Sequence, residues 1–120
     1  MAKRPLKGDI ERTPVVDLKK EEGSKLVGVL KDTAESKYGH IYRFILETTD
    51  GSTSLKNEAG EIQEVEVKPG DTVALFASSY LDADLQKAKI EERIEVIWHG
   101  LKQNPKTGRS FNDYEANVLE

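Results

Sequence analysis

The chain contains no cysteine in its 120 residues. Disulfide staples, thiolate zinc sites, iron–sulfur clusters and cysteine nucleophiles are excluded together. Long hydrophobic runs are missing as well. The unbroken apolar stretches are only a few residues long, far short of the roughly 20 that span a bilayer as a helix. Behind the opening Met1-Ala2-Lys3-Arg4-Pro5-Leu6-Lys7-Gly8-Asp9 no apolar segment follows, so a secretory leader is not expected and a cytosolic setting is the default. Aromatic residues make up 7% of the chain and hydrophobic residues 37%, against 33% charged. That lean, soluble composition supports one small core in a single domain, with flexible ends.

Catalytic inventory is equally thin. The two histidines, His40 and His99, stand in segments of high β-propensity. No Gly-rich phosphate loop, nucleophile elbow or metal-spaced His/Asp/Glu cluster is present. Asp82 and Asp84 read as charges at the start of a helix, where the helix dipole favours acids. The expectation is a non-catalytic protein with no cofactor and no metal.

What the chain does have is segregated charge. The net charge is −4, but between Glu47 and Asp71 seven acids face two bases, a local balance of −5. Between His99 and Asn112, Lys102, Lys106 and Arg109 meet no acid, a local balance of +3. For a phosphate-bearing ligand the distribution matters more than the sum.

Patterning supplies the elements. Residues 1–24 are rich in Lys, Glu, Asp, Pro and Gly and read as a mostly solvated arm. The alternative is that Val15–Leu18 adds an edge strand or docks on a partner. The domain proper is expected over 25–120. Lys25–Lys31 forms a first strand, apolar on both faces, with Gly28 marking a bulge or barrel corner. A loop covers Asp32–Gly39. His40–Thr49 forms a second strand with Tyr42, Phe44 and Leu46 on the core face and Ile41, Arg43 and Ile45 on the other. A polar hairpin loop runs from Asp50 to about Glu61. A third strand covers Ile62–Lys68, where Val65 and Val67 alternate with Glu64 and Glu66. Thr72–Phe76 is either a strand or the lead-in to a helix over Tyr80–Ala88, whose Leu81 and Leu85 share a face. Arg93–Lys102 and Ser110–Val118 are the last strands, joined by a hairpin loop with Asn-Pro and Thr-Gly turn chemistry. Trp98 could face either way.

The chain order β-β-β-α-β-β predicts an all-β fold: a small β-barrel with one helix, the connectivity of the oligonucleotide-binding (OB) fold. The segment Leu26–Val118 also resembles the OB-fold single-stranded DNA-binding proteins of bacteriophages and prophages. The matching stretches are Ser36-Lys37-Tyr38-Gly39, Lys68-Pro69-Gly70-Asp71-Thr72-Val73-Ala74-Leu75-Phe76 and Lys106-Thr107-Gly108-Arg109-Ser110-Phe111-Asn112-Asp113-Tyr114-Glu115. The acidic C-terminal run of many such proteins is not matched by Asn117-Val118-Leu119-Glu120. The resemblance implies a sequence-tolerant single-stranded DNA binder. It would act with replication or recombination proteins in the cytoplasm of a bacterial host cell.

An OB barrel binds between the loop joining its first two strands and the loop joining its last two. Single strands need cations for phosphates and flat rings for bases. The expected site residues are Lys37, Tyr38 and His40 from the first loop, Arg43 between the loops, and Lys102, Lys106, Arg109 and Phe111 from the second. Lys37, Lys102 and Lys106 have a plainer reading as solvated loop charges, His40 as a strand surface residue, and Arg43 as a cross-sheet partner of Glu64 or Glu66. A lone barrel covers few nucleotides, so a homo-oligomer or cooperative binding along the strand would extend its reach. The competing expectations are an OB-type protein-interaction module, which the net acidity favours, and an RNA binder.

Overall fold

The computed structural model describes residues 13–36, 39–56, 59–77 and 79–120. The described chain is all-β apart from one short helix. Its elements are β1 (Val15–Asp17), β2 (Lys25–Ser36), β3 (Gly39–Thr49), β4 (Ser52–Lys56), β5 (Ile62–Glu64), β6 (Thr72–Phe76), α1 (Ser79–Leu85), β7 (Arg93–Gln103) and β8 (Ser110–Val118). Hydrogen bonding orders the sheet β5-β4-β1-β6-β3-β2-β7-β8.

The β2–β3 hairpin is the spine. Its ladder runs from Leu26↔Thr49 to Ser36↔Gly39, so Asp32–Ser36, expected as loop, is strand. Those residues have modest β-propensity, but each faces a residue of β3, and the cross-strand partner outweighs local preference. The register shifts at Val27/Gly28 and again at Leu30/Asp32. Such bulges bend and twist a strand. At the first, a Cβ on Gly28 would lie 2.7 Å from the Ile45 carbonyl oxygen, so glycine is what lets the two backbones approach.

Three further expectations change. The solvated arm does not reach residue 24: β1 lies between β4 and β6, antiparallel to one and parallel to the other. Val16 is 3% and Leu18 1% exposed, because two apolar residues spaced by two put both side chains on the core face. Residues 1–12 of that arm lie outside the described residues. Part of the expected loop Asp50–Glu61 is β4, whose polar residues gain strand geometry by pairing with β1 and β5. The expected third strand, Ile62–Lys68, shrinks to β5 at the sheet margin, where Ile62 is 76% exposed. The third core strand is instead Thr72–Phe76, paired with β3 from Ile41↔Phe76 to Ile45↔Thr72. The described order is thus six strands, helix, two strands, not three, helix, two. The helix ends at Leu85 rather than Ala88, the chain turning at Gln86 and Lys87.

One apolar cluster draws on β1, β2, β3, β6, α1 and β7: Val16, Leu26 and Leu30, Tyr42, Phe44 and Leu46, Val73 and Leu75, Leu81 and Leu85, Ile94 and Val96. Trp98, Tyr114 and Ala116 pack against it. A sheet that brings β1 and β8 to the same core must curl around it. Leu81 and Leu85, at 0% and 1% exposure, fasten α1 against that core, each burial contributing about 1.5–3 kcal/mol. No helix among the described residues is long and apolar enough to cross a membrane.

Candidate functional site

The β7–β8 hairpin ends in a tip, 104–109, that carries its own hydrogen bonds. Asn104 N–H donates to the Arg109 carbonyl at 2.9 Å, and Gly108 N–H donates to the Asn104 carbonyl at 2.8 Å. The Asn104 side chain accepts from Lys106 N–H at 2.8 Å, an Asx turn around Pro105. Gln103 Nε2 donates to the Gly108 carbonyl at 3.0 Å, and Gly108 takes φ +71°. The tip therefore has a defined shape, and on it Lys106 and Arg109 are exposed. Lys102 is exposed on β7, directly opposite Phe111 on β8. Directly opposed residues share a face, so this cation stands beside a ring. None of the three cations has an ion-pair partner among the described residues.

The first hairpin is arranged differently. Lys37 and Tyr38, at its turn, lie outside the described residues. One pair in from the end of the ladder, His40 Nδ1 lies 2.8 Å from Asp82 Oδ1 and Oδ2, and its Nε2 lies 3.3 Å from Glu35 Oε1. A carboxylate only accepts, so His40 Nδ1 carries the proton. The buried Tyr42 hydroxyl donates to Asp82 Oδ1 at 2.5 Å, and Gln86 Nε2 donates to Oδ2 at 3.0 Å. The bonds to Asp82 and then Glu35 raise the His40 pKa above its ordinary value. The Tyr42 hydroxyl first, and His40 after it, hold Asp82 below its own. Burial, reinforced by Asp82, pushes the Tyr42 hydroxyl well above the usual phenol range. His40 is thus a clasp between β3 and α1 rather than a free loop cation.

Arg43 is engaged too. Its Nε donates to Asp32 Oδ1 at 2.6 Å and its Nη2 donates to Oδ2, a two-pronged pair with the neighbouring strand β2. The expected partners, Glu64 and Glu66, are elsewhere because β6, not β5, adjoins β3. They border Thr49–Thr53 beside the far margin of the sheet. His99, the other histidine, pairs with Glu115 at 2.9 Å across the last hairpin.

The turn ends of the two hairpins meet at the start of α1. His40 reaches it through Asp82, and the Phe111 ring lies 5.6 Å from the Tyr80 ring, centroid to centroid, tilted by 53°. Tyr80 is 63% exposed. Phe76, at the end of β6 and three residues before α1, is also exposed. Trp98 turns inward, packed on the core, with Nε1 donating to Asn112 Oδ1 at 3.3 Å. Tyr80, Phe76 and the linking role of Asp82 are features that sequence reasoning missed. A signal for the two rings was present: Tyr80 is off the Leu81/Leu85 face, and Phe76 falls out of step with Val73 and Leu75.

A cleft of about 540 Å³ lies between α1 and β8. Asp84, Asp113 and Glu115 line it with Lys87 and His99, an acidic wall unsuited to phosphate. Among the described residues no group of His, Asp or Glu is placed to hold a metal ion. No family model, no curated protein and no solved structure matches the chain.

Proposed function

We propose that this chain is a non-catalytic, sequence-tolerant single-stranded DNA-binding protein built on an OB-type barrel, serving DNA replication or recombination in the cytoplasm of a bacterial host cell. Pairing supports the barrel. β2 pairs with β3 and β7, β3 with β6, and β7 with β8, with α1 between β6 and β7. This is the neighbour pattern of a five-stranded, partly open Greek-key barrel, to which β1, β4 and β5 are additions.

The observation that carries the functional reading is the hairpin 102–111. Lys106 and Arg109 on the ordered tip, with Lys102 and the Phe111 ring just below it, have no ion-pair partner among the described residues and adjoin the turn end of the first hairpin through α1. Cations beside rings are what a single strand needs. Fluorescence polarisation with labelled oligo-dT, duplex DNA and oligo-rU at two salt concentrations tests it. Oligo-dT binds in preference to duplex, and log K falls against log salt with a slope of about −2, since each phosphate met contributes ~0.7 on a single strand. Binding that ignores salt, or none at low salt, refutes the reading. Preference for oligo-rU moves it to RNA.

The acidic margin favours a second reading, a protein-interaction module. There β5 leaves Ile62 exposed on an edge strand among Glu61 and Glu64. Unpaired edges are templates for another chain. Protein partners that survive nuclease treatment, with no oligonucleotide bound, select that reading.

A further inference from the structure

We infer that Tyr80, at the start of α1, and Phe111, at the start of β8, form a stacking site for an unpaired base, with Lys102 and Arg109 set to meet the phosphates of the same strand. This rests on the single-strand reading above and deepens it. It names the part of the ligand that is recognised and a residue from outside both hairpins that recognises it.

The geometry is specific. A tilt of 53° at 5.6 Å means the two rings touch without covering each other face to face, and Tyr80 is exposed while Phe111 is part-exposed. Tyr80 is held in place by its neighbour Leu81, which is fully buried, while its own side chain is 63% exposed. Its hydroxyl makes no hydrogen bond among the described residues, so the ring is not there to satisfy a buried polar group. Lys102 is the cross-strand partner of Phe111, and Arg109 precedes it by two residues. Opposed side chains lie roughly 5 Å apart at Cβ, close enough for one nucleotide to give its base to a ring and its phosphate to the cation.

An apolar peptide would find rings here but no use for the cations. A duplex would find cations, but its base faces are already stacked. An unpaired nucleotide uses both. Base–aromatic stacking of this kind tolerates any sequence, because every base has a π-face.

The test compares the full-length chain with Tyr80→Ala, Tyr80→Phe and Tyr80→Leu. Each is titrated by fluorescence polarisation against labelled oligo-dT, oligo-rU and an abasic deoxyribose-phosphate strand of equal length. Tyr80→Ala weakens oligo-dT binding by ~5–150-fold, the range expected for one lost stacked base, and leaves the abasic strand unchanged. Tyr80→Phe binds as the native chain does, and Tyr80→Leu as Tyr80→Ala does, since leucine offers bulk without a flat face. Oligo-rU affected in parallel means the site serves either backbone; oligo-rU unaffected confines it to DNA. Salt-sensitive oligo-dT binding that is indifferent to Tyr80→Ala, equal losses on the abasic strand, or rescue by Tyr80→Leu overturns the stacking site and leaves the single-strand reading standing. A native chain that binds no oligonucleotide removes both. Thermal melting of the variants confirms their fold, which an exposed side chain should not disturb.

Discussion

The two hairpins that flank α1 carry similar residues to opposite ends. On β2–β3, His40 is held by Asp82 and Glu35, and Arg43 by Asp32. On β7–β8, Lys102, Lys106 and Arg109 are exposed and have no ion-pair partner among the described residues. The difference lies in position along the strand. His40 and Arg43 sit where neighbouring elements crowd β3, and a cation there is costly unless an acid answers it. Lys106 and Arg109 stand on a tip beyond the sheet, where water solvates them at no cost to folding. A charge that folding has paired is a structural bond; a charge left in water is available to a ligand.

The sharpest way to break this contrast is to reverse the free charges. Lys106→Glu with Arg109→Glu lowers oligo-dT affinity by roughly 100-fold or more at low salt, because two attractions become repulsions. The same change leaves the melting temperature nearly unmoved, as surface substitutions usually alter stability by less than about 0.5 kcal/mol. Loss of both fold and binding would show that the tip is structural after all.

Removing a paired charge has the reverse profile. Asp82→Ala strips the Tyr42 hydroxyl, His40 and Gln86 of their shared acceptor. Tyr42 is 2% exposed and would be left with only the long 3.4 Å bond to the backbone carbonyl of residue 82, a loss of about 1–3 kcal/mol at most. Urea unfolding reads that loss as a lower midpoint at constant slope, while the salt dependence of oligonucleotide binding stays as it was. A changed salt slope would count His40 among the ligand-facing cations.

The smallest effect is a pH dependence of the same clasp. His40 has a folded-state pKa raised above its ordinary 6.5, so its contribution is complete below 6.5 and is lost as pH rises through the raised value. Asp82 is lowered from 3.8, so its contribution is present above 3.8 and is lost as pH falls through the lowered value. Both are in force between about pH 4 and 6.5. The stability gap between the native chain and His40→Asn is therefore wider at about pH 6 than at about pH 9. An equal gap at both would mean that the ring packs without its charge mattering.

Much of this organisation was legible in advance because it is local. Tyr42, Phe44 and Leu46 alternate, and all three are buried. Gly28 sits at a register shift, as a glycine inside an apolar strand suggests. The strands β3, β7 and β8 announce themselves by branched and aromatic residues. Less legible were β1, β4 and the outer third of β2. Val15–Asp17 is too short to decide between an arm and an added strand, Ser52–Lys56 is too polar to call for one, and both acquire strand geometry from neighbours with backbone groups to satisfy.

Of the candidate site, the basic hairpin and Phe111 could be named from charge and turn residues alone. Tyr80 could not be joined to Phe111, nor Asp82 to His40, since 31 and 42 positions separate them in the chain.

The sequence by itself determined the strand-rich character of the chain, the inward face of β3 set by Tyr42, Phe44 and Leu46, and the segregation of charge into an acidic middle and a basic end. Each follows from periodicity and composition within a short window. Tertiary structure alone decided that β1 lies inside the sheet between β4 and β6, that β6 replaces β5 beside β3, and which cations are answered by acids. Those outcomes depend on residues brought together from distant parts of the chain, and a partner's distance in space is not written in the spacing of neighbours.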